Sequence, residues 1–415
     1  MATDHEATVQ RTAPVTVPDT APPPPAPRDA VPSDTAVPRT SLRSAVDTAW
    51  RDWIRPAWYP ALAYFLSRVL ALLAVATTGA MQNDGDLGRL VRVWDGGWYT
   101  IVASRGYPHA VPALDGRAVQ SALAFFPGYP FLMRAMSSVT GLGSYIVGPV
   151  IAGVGGLVAA IGVWAIARRL CGDAVARRSA LLFCFFPGAF VFSFMYSEGL
   201  MLAFAVFALL AVMERRWVLA GLLGAAATAV RPNALVLVLC FAWAAVVAIH
   251  QRREWRALIA PILAPLGTLA FFAWQGHRVG EYGFWFRVQD EGWKQRNDFG
   301  VNTVKKFLWL VDDYSGPTAQ AVLAVGLILM VVLLVFLWRW KPPAVLTIWT
   351  LGVLVLAVTA ESQGARPRYL LTAFPLVIAL ARDVEGEAFR WVLATSAALM
   401  MLMTVLVAHP LTLEP

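Results

Sequence analysis

Hydrophobic runs close to 20 residues long recur from about Trp58 to near the end of this sequence, and they constrain the fold more than any other feature. Wound as helix at about 1.5 Å per residue, a run of that length crosses the roughly 30 Å of hydrocarbon in a bilayer. With 415 residues, 58% of them hydrophobic and only 14% charged, the chain is too apolar for an ordinary soluble domain. The mean hydropathy of +0.59 agrees. The expected fold class is therefore all-α, a polytopic transmembrane helical protein.

The patterning predicts helices at roughly Trp58 to Ala80, Ser144 to Ala167, Ser179 to Met195, Leu200 to Met213, Trp217 to Val230 and Ala234 to Ala248. It predicts five more at Ala257 to Trp274, Ala319 to Trp338, Ala344 to Ala360, Tyr369 to Ala381 and Trp391 to Ala408. The formal charge of +8 suggests nucleic acid at first sight, but the basic residues cluster at the ends of apolar runs. Arg168, Arg169, Arg177 and Arg178 form one cluster, Arg215 and Arg216 the next, then Arg252, Arg253 and Arg256, then Arg339 and Lys341, then Arg382 and Arg390. With a cytoplasmic N-terminus, every short loop assigned inside is basic, as the positive-inside rule requires. About eleven membrane helices and an outside C-terminus follow.

Residues 1–48 are rich in Pro, Ala, Thr and Val, nearly devoid of aromatics, and centred on Ala21-Pro22-Pro23-Pro24-Pro25. Such a composition is expected to remain a disordered cytoplasmic tail, with the transmembrane domain covering 49–415. Cys171, Cys184 and Cys240 are odd in number and scattered, so they read as small hydrophobes rather than a disulfide frame or metal site.

The topology puts loops 81–143 and 276–317 on the non-cytoplasmic side, together with Asp95, Glu198, Arg231, Asn233 and Arg366-Pro367-Arg368. The unusual polar residues thus converge on one face. Arg68 stands mid-span in the first helix, where an ionisable side chain is expensive and faces a cavity or a partner.

Two readings stand for most of these residues. Asp95 is either the N-cap of a short helix whose face is Trp98, Ile101 and Val102 and whose C′ residue is Gly106, or a site carboxylate; the readings are compatible. Gly96 and Gly97 after it leave room for a substrate to approach the backbone. Trp94, Trp98, Tyr99 and Tyr107 suit an interfacial belt or a sugar-stacking platform. Glu198 is a solvated hairpin tip or a site carboxylate. Arg231, and Arg366 with Arg368, either snorkel to headgroups or hold a phosphate as forked donors. The 276–317 loop alternates Trp285, Phe286, Trp293 and Phe299 with Arg287, Gln289, Asp290, Lys294 and Arg296, as an interfacial amphipathic segment would. Gln289 or Trp293 is expected nearest a substrate.

In order, Trp94-Asp95, Trp98-Tyr99, Ile101, Gly106-Tyr107, Phe125-Phe126-Pro127, Tyr129-Pro130 and Arg134 resemble the first luminal loop of the PIG-V family, the second mannosyltransferase of glycosylphosphatidylinositol assembly, and its bacterial relatives. Ser67-Arg68, Phe186-Pro187, Phe192-Ser193, Tyr196-Ser197-Glu198, Arg231-Pro232-Asn233, Arg368-Tyr369-Leu370-Leu371 and Phe374-Pro375 follow in the family's order. The resemblance covers about Tyr59 to Ala381. It departs where the family commonly has Arg directly before Trp-Asp; here Val93 stands there and Arg92 precedes it.

The resemblance implies a GT-C type inverting glycosyltransferase that moves mannose from a polyprenyl-phosphate donor to a hydroxyl of a lipid-linked or cell-envelope glycan on the non-cytoplasmic face. It makes Asp95 the catalytic base. Beside it the residues expected at the substrates are Trp94, Trp98, Tyr99, Arg105, Tyr107, Glu198 and Asn233, and those expected at the donor phosphate are Arg68, Arg231, Arg366, Arg368 and Tyr369. No cofactor or metal is implied, since the lipid-linked sugar is itself the co-substrate; Asp84-Gly85-Asp86 has Asp-x-Asp spacing, but the resemblance gives it no role. The partners are donor, acceptor and bilayer. Two other readings are transfer of glucose or arabinose, and transport of a lipid-linked sugar. Transport is disfavoured by the missing internal repeat and by the gathering of polar residues at one surface.

Overall fold

The computed structural model describes residues 57–82, 86–312, 318–361 and 364–409. The expected tail lies outside them, as do Asp84 and Gly85. The described chain is a bundle of helices: α1 (Trp58–Met81), α2 (Asp95–Arg105), α3 (Gly128–Thr140), α4 (Ser144–Cys171), α5 (Asp173–Cys184), α6 (Glu198–Met213), α7 (Trp217–Val230), α8 (Val236–Arg252), α9 (Leu266–Val279), α10 (Val301–Asp312), α11 (Thr318–Trp340), α12 (Ala344–Thr359), α13 (Pro375–Asp383) and α14 (Gly386–Ala408). Shorter helical turns join them. The protein is an all-α, multi-pass membrane protein. Among the described residues five helices are long and apolar enough to cross a bilayer, and a sixth span arises if Trp255–Leu263 and α9, bent by 40°, count as one. Three more apolar helices, α6, α7 and α12, are shorter.

Several segments expected as single spans are broken, and each break stands at a proline. The Ser179–Met195 run ends its helix at Cys184 and resumes as a 3-10 turn, Pro187–Phe192. The Tyr369–Ala381 run splits into Pro367–Thr372 and α13, which starts on Pro375, and the Ala257–Trp274 run bends before Pro265. Proline lacks the N–H that would continue the helix and disfavours the helical region at its predecessor, which Phe186 leaves at ψ 144° while Ala264 and Phe374 keep it. Arg231 before Pro232 is accordingly extended, at φ −150°, ψ 142°.

The main core is built from α1 and α4 to α8, the Pro187–Phe192 turn and the last four helices. One close crossing is α4 on α6: a Cβ on Gly155 would lie 2.6 Å from the Gly199 carbonyl carbon, and one on Gly199 would lie 2.3 Å from Ala152 O. Small residues let these backbones touch, the usual means of packing helices where no hydrophobic force drives them together. A second apolar cluster unites the segment after α2 with α9 and the turn beyond it, through Val102, Tyr107, Leu123, Phe126, Phe271, Phe284 and Val288. It includes a hairpin pairing Ala113 with Ala118 and Leu114 with Arg117. Its turn residues Asp115 and Gly116 both have positive φ, the geometry that Asp-Gly favours.

The basic clusters expected on the cytoplasmic side gather at one end of the bundle. There Arg169 pairs with Glu214, Arg339 with Asp383 and Arg215 with Glu254. Glu214 follows the last turn of α6, and Glu198 opens its first turn, so these pairs and the polar residues described next lie at opposite ends of that helix.

Candidate functional site

Trp94 has φ 59° and ψ −118°, a conformation that costs a non-glycine residue about 1–3 kcal/mol and persists only when its surroundings impose it. Met195 N donates to Val91 O at 2.9 Å, and Trp94 Nε1 donates to Val407 O at 3.3 Å. The turn so fixed makes Asp95 the first residue of α2. It does not cap the helix as expected: no side-chain cap bond forms, and Oδ2 accepts from Arg368 Nη1 at 3.2 Å. The side chain is 23% exposed and Oδ1 carries no hydrogen bond from a described residue. Gly97 beside it borders open space, whereas Gly96 backs onto Met195. The buried face of the helix is Tyr99, Val102 and Ala103 rather than the predicted Trp98, Ile101 and Val102. Gly106 ends the helix in a positive-φ conformation.

Glu198 is fully buried, so it is not a solvated hairpin tip. It opens α6, where the helix dipole favours an anion. Oε2 lies 3.1 Å from Arg231 Nη1 and Oε1 lies 3.8 Å from Arg368 Nη1. An isolated carboxylate at that depth would cost several kcal/mol; two guanidinium groups offset it. The Arg231 side chain is only 15% exposed, and its Nη1 also donates to Ser197 Oγ at 3.1 Å, so it turns inward instead of snorkelling to headgroups. Ser197 Oγ in turn shares a 2.7 Å hydrogen bond with Tyr99 OH. Burial above all, with Asp95 and Glu198 nearby, holds that phenol above its usual value despite Arg231, so it stays protonated.

Arg368 joins the two carboxylates. It lies in the short helix Pro367–Thr372, donates from Nη2 to Tyr369 OH at 2.8 Å, and packs its guanidinium over the rings of Tyr369 and Tyr196 at 4.8 and 5.6 Å. Burial opposes its charge, but Tyr369, Asp95 and Glu198 around it hold its pKa above the usual arginine value. Asp95, Glu198, Arg231 and Arg368 thus form one connected group of two anions and two cations.

Hydrogen bonding within the group is incomplete. Arg368 Nε, Arg231 Nε, both Glu198 oxygens, Tyr196 OH and Asn233 Oδ1 are buried without a hydrogen-bond partner among the described residues. Glu198 therefore meets its arginines as ion pairs that fall short of hydrogen bonds, the one to Arg368 through its length. Folded proteins leave few such atoms unmet, and a cluster of them beside a reachable carboxylate is suited to a polar ligand.

The other expected residues are placed unequally. Tyr369 adjoins the cluster, Asn233 lies two positions after Arg231 in the turn Pro232–Leu235, and half-buried Trp98 stacks on Phe125 at 6.0 Å with Trp293 edge-on at 5.4 Å, three positions after Asp95. Trp94 is a backbone anchor. Tyr99 and Tyr107 are buried, Tyr107 donating to Phe125 O at 2.6 Å, so neither ring is a sugar platform or belt residue. Arg105 is exposed at the far end of α2, roughly 15 Å along its axis from Asp95. Arg366 is half-buried near Lys306. Arg68 departs most from expectation: it donates to Ala189 O at 2.7 Å, Ser193 Oγ at 2.8 Å and Cys184 O at 3.2 Å, and its guanidinium lies near the Tyr64 and Phe192 rings. It ties the broken 184–193 segment to α1 instead of reaching the Asp95 cluster. The reading from sequence missed Ser197 and Tyr196 as members; both lie in the quoted Tyr-Ser-Glu stretch, but only the fold shows their contacts. Among the described residues no three His, Cys, Asp or Glu side chains group as metal ligands would.

No protein-family model matches the chain, and no curated protein matches it. Among solved structures it is similar to ArnT from Cupriavidus metallidurans bound to undecaprenyl phosphate, at 16% identity and TM-score 0.49, over 80% of this chain and 62% of that one. The apo form of that protein gives 16% identity and TM-score 0.46, over 72% and 55%. The archaeal oligosaccharyltransferase AglB from Archaeoglobus fulgidus, in complex with an inhibitory peptide and a dolichol-phosphate, gives 12% identity and TM-score 0.47, over 86% and 56%. The chain thus spans between 55% and 62% of the length of these proteins.

Proposed function

We propose that this protein is a GT-C type membrane glycosyltransferase that passes mannose from a polyprenyl-phosphate donor to an acceptor hydroxyl at the non-cytoplasmic face. The observation that carries the reading is Asp95: a carboxylate with one oxygen fixed by Arg368 and the other without a hydrogen bond among the described residues, beside the open backbone of Gly97. A sugar transfer with inversion needs one such base, taking the acceptor proton as the sugar passes through an oxocarbenium-like state.

The charges then move consistently. The acceptor O–H loses its proton to Asp95 Oδ1, the acceptor oxygen bonds to the anomeric carbon, and the bond from that carbon to the phosphate oxygen breaks. As Asp95 becomes neutral, Arg368 is released from its pair and faces the anion forming on the departing phosphate. Arg231 supplies a second fixed cation. Preorganised charges of this kind stabilise a developing anion without the reorganisation that water would need. Glu198 keeps both guanidinium groups in place and balances them before the substrates arrive. The ordered motifs from Trp94-Asp95 to Arg368-Tyr369 support mannose as the sugar and a polyprenyl phosphate as its carrier.

The test is transfer of labelled mannose from polyprenyl-phosphate mannose in membranes containing the protein, against Asp95→Asn at equal protein level. Turnover is expected to fall by about 10²–10⁴, the usual contribution of a general base. Unchanged turnover in the variant would remove Asp95 from the chemistry. Transfer from a glucose or arabinose donor alone would keep the reaction class and replace the sugar.

A further inference from the structure

Tyr196 is fully buried, yet its hydroxyl has no hydrogen-bond partner among the described residues. The ring itself is firmly held. Phe190 and Phe194, both fully buried, stand edge-on to it at 6.4 Å each, and the Arg368 guanidinium lies over it at 5.6 Å. The backbone is fixed as well: Tyr196 N donates to Phe194 O at 2.9 Å, and Met195 N just before it donates to Val91 O at 2.9 Å. Such packing accounts for an aromatic ring, and phenylalanine meets it equally well. It does not account for the hydroxyl, because leaving a buried polar atom unmet costs a fold stability.

After burial, Asp95 is the group that acts on this phenol most, ahead of Arg368 and Glu198, and together they keep it protonated. Tyr196 therefore brings a neutral donor into a cluster where the carboxylates otherwise face cations, Arg368 at Asp95 Oδ2 and Arg231 at Glu198. The difference matters to a base. A cation held on Asp95 Oδ2 stabilises the carboxylate and so opposes uptake of a proton at Oδ1. When Arg368 turns to the departing phosphate that opposition falls, but Oδ2 also loses the contact that oriented it. A phenol O–H on Oδ2 replaces the contact and adds no charge beside the protonated acid.

We infer that Tyr196 is a positioning residue for the transfer: its hydroxyl takes over Asp95 Oδ2 from Arg368 as the acceptor proton arrives on Oδ1. The phenol keeps its own proton throughout, and the acceptor's proton stays on Oδ1 until the products leave. The inference rests on the glycosyl-transfer reading above and adds to it the donor that lets Arg368 change partners. It also accounts for the unpartnered hydroxyl of the resting cluster, whose acceptor is occupied by Arg368 until turnover.

The experiment compares the parent with Tyr196→Phe in membranes at equal protein level, with polyprenyl-phosphate mannose as donor, and measures the melting temperature of the purified full chains. Turnover at saturating donor is expected to fall about tenfold, the contribution of one neutral hydrogen bond made only in the transition state. The donor KM should stay at the parental value. The melting temperature should hold or rise, since only an unmet buried oxygen is removed. In an Asp95→Asn background the same change is expected to leave the residual turnover where Asp95→Asn alone puts it, because the hydroxyl acts through that carboxyl.

Parental turnover in Tyr196→Phe overturns the inference, as does a lowered melting temperature, which makes the hydroxyl structural. A raised donor KM, or a further fall of turnover on top of Asp95→Asn, also overturns it by making the hydroxyl a substrate contact. In each of these cases the transferase reading stands. A parent that transfers no sugar from any polyprenyl-phosphate donor overturns that reading, and the role of Tyr196 with it.

Discussion

Arg368 Nη1 lies 3.2 Å from Asp95 Oδ2, so the first residue of α2 is held by an arginine 273 positions further along the chain. The same nitrogen is 3.8 Å from Glu198 Oε1. Arg368 therefore couples three segments that share no local sequence, and its fork matters as much as its charge. Nη1 serves the carboxylates while Nη2 serves Tyr369 OH. Lysine supplies a point charge and cannot reach both. Arg368→Lys is expected to keep the fold and lower turnover by about 10²–10³, the loss typical of a misplaced transition-state donor; steady-state kinetics at matched protein level measure it. Arg368→Met leaves Asp95 without its partner and Glu198 with one. Its cost, about 3–5 kcal/mol for breaking a buried pair, should appear as a lower melting temperature.

Arg68 separates stability from chemistry. Its hydrogen bonds to Ala189 O, Ser193 Oγ and Cys184 O hold a stretch whose own helix is broken at Pro187. Arg68→Leu strands those acceptors, each worth about 1–3 kcal/mol when left unmet in a buried setting. The variant is expected to melt earlier, while the KM for the donor in the surviving protein stays at the parental value. A raised donor KM at unchanged melting temperature would return Arg68 to the phosphate.

Ser197 gives a smaller, cleaner test. Its hydroxyl bonds Tyr99 OH at 2.7 Å and accepts from Arg231 Nη1 at 3.1 Å, linking α2 to Arg231 beneath the two carboxylates. Ser197→Ala and Tyr99→Phe each remove one end of the same bond. In a double-mutant cycle on unfolding, the pair is expected to couple by about 1 kcal/mol, whereas two independent sites would add.

The sequence patterning reads the membrane class and most helix positions well, because apolar length is a local property: Trp217–Val230 and Ala344–Thr359 lie almost where their hydrophobic runs do. It misreads where a polar requirement acts from a distance. Ser179 to Met195 looks like one span, yet Pro187 breaks it and Arg68 satisfies the carbonyls so freed, a partnership that hydropathy does not encode. The hairpin at Asp115-Gly116 carries a local signal, a dipeptide suited to two positive φ angles, between strands too short to show alternation. For the site, topology brings Asp95, Glu198, Arg231 and Arg368 to one face correctly. The choice between cap and pair at Asp95, or between exposed tip and buried ion at Glu198, depends on which arginine arrives across the bundle, and only packing decides that.

Two glycines make opposite predictions from the same chemical change. A Cβ on Gly188 would stand 2.1 Å from Pro367 O and 2.9 Å from Arg368 N, both backbone atoms that cannot rotate away. Gly188→Ala must therefore shift the start of the Pro367–Thr372 helix, and Arg368 with it; about 1–3 kcal/mol of overpacking and a marked loss of transfer are expected. Gly97 lies in α2 two residues after Asp95, with nothing within 4 Å of its added Cβ. Gly97→Ala removes backbone freedom from the unfolded chain and improves helix propensity by up to about 1 kcal/mol, so the melting temperature should hold or rise. If the open backbone there is where the acceptor approaches Asp95, the same methyl raises the acceptor KM in a protein that is no less stable. Measuring melting temperature and acceptor KM on both variants distinguishes the two roles: Gly188→Ala should fail through Arg368 and Gly97→Ala through access, and a Gly97→Ala enzyme with parental KM would place the acceptor on another side of Asp95.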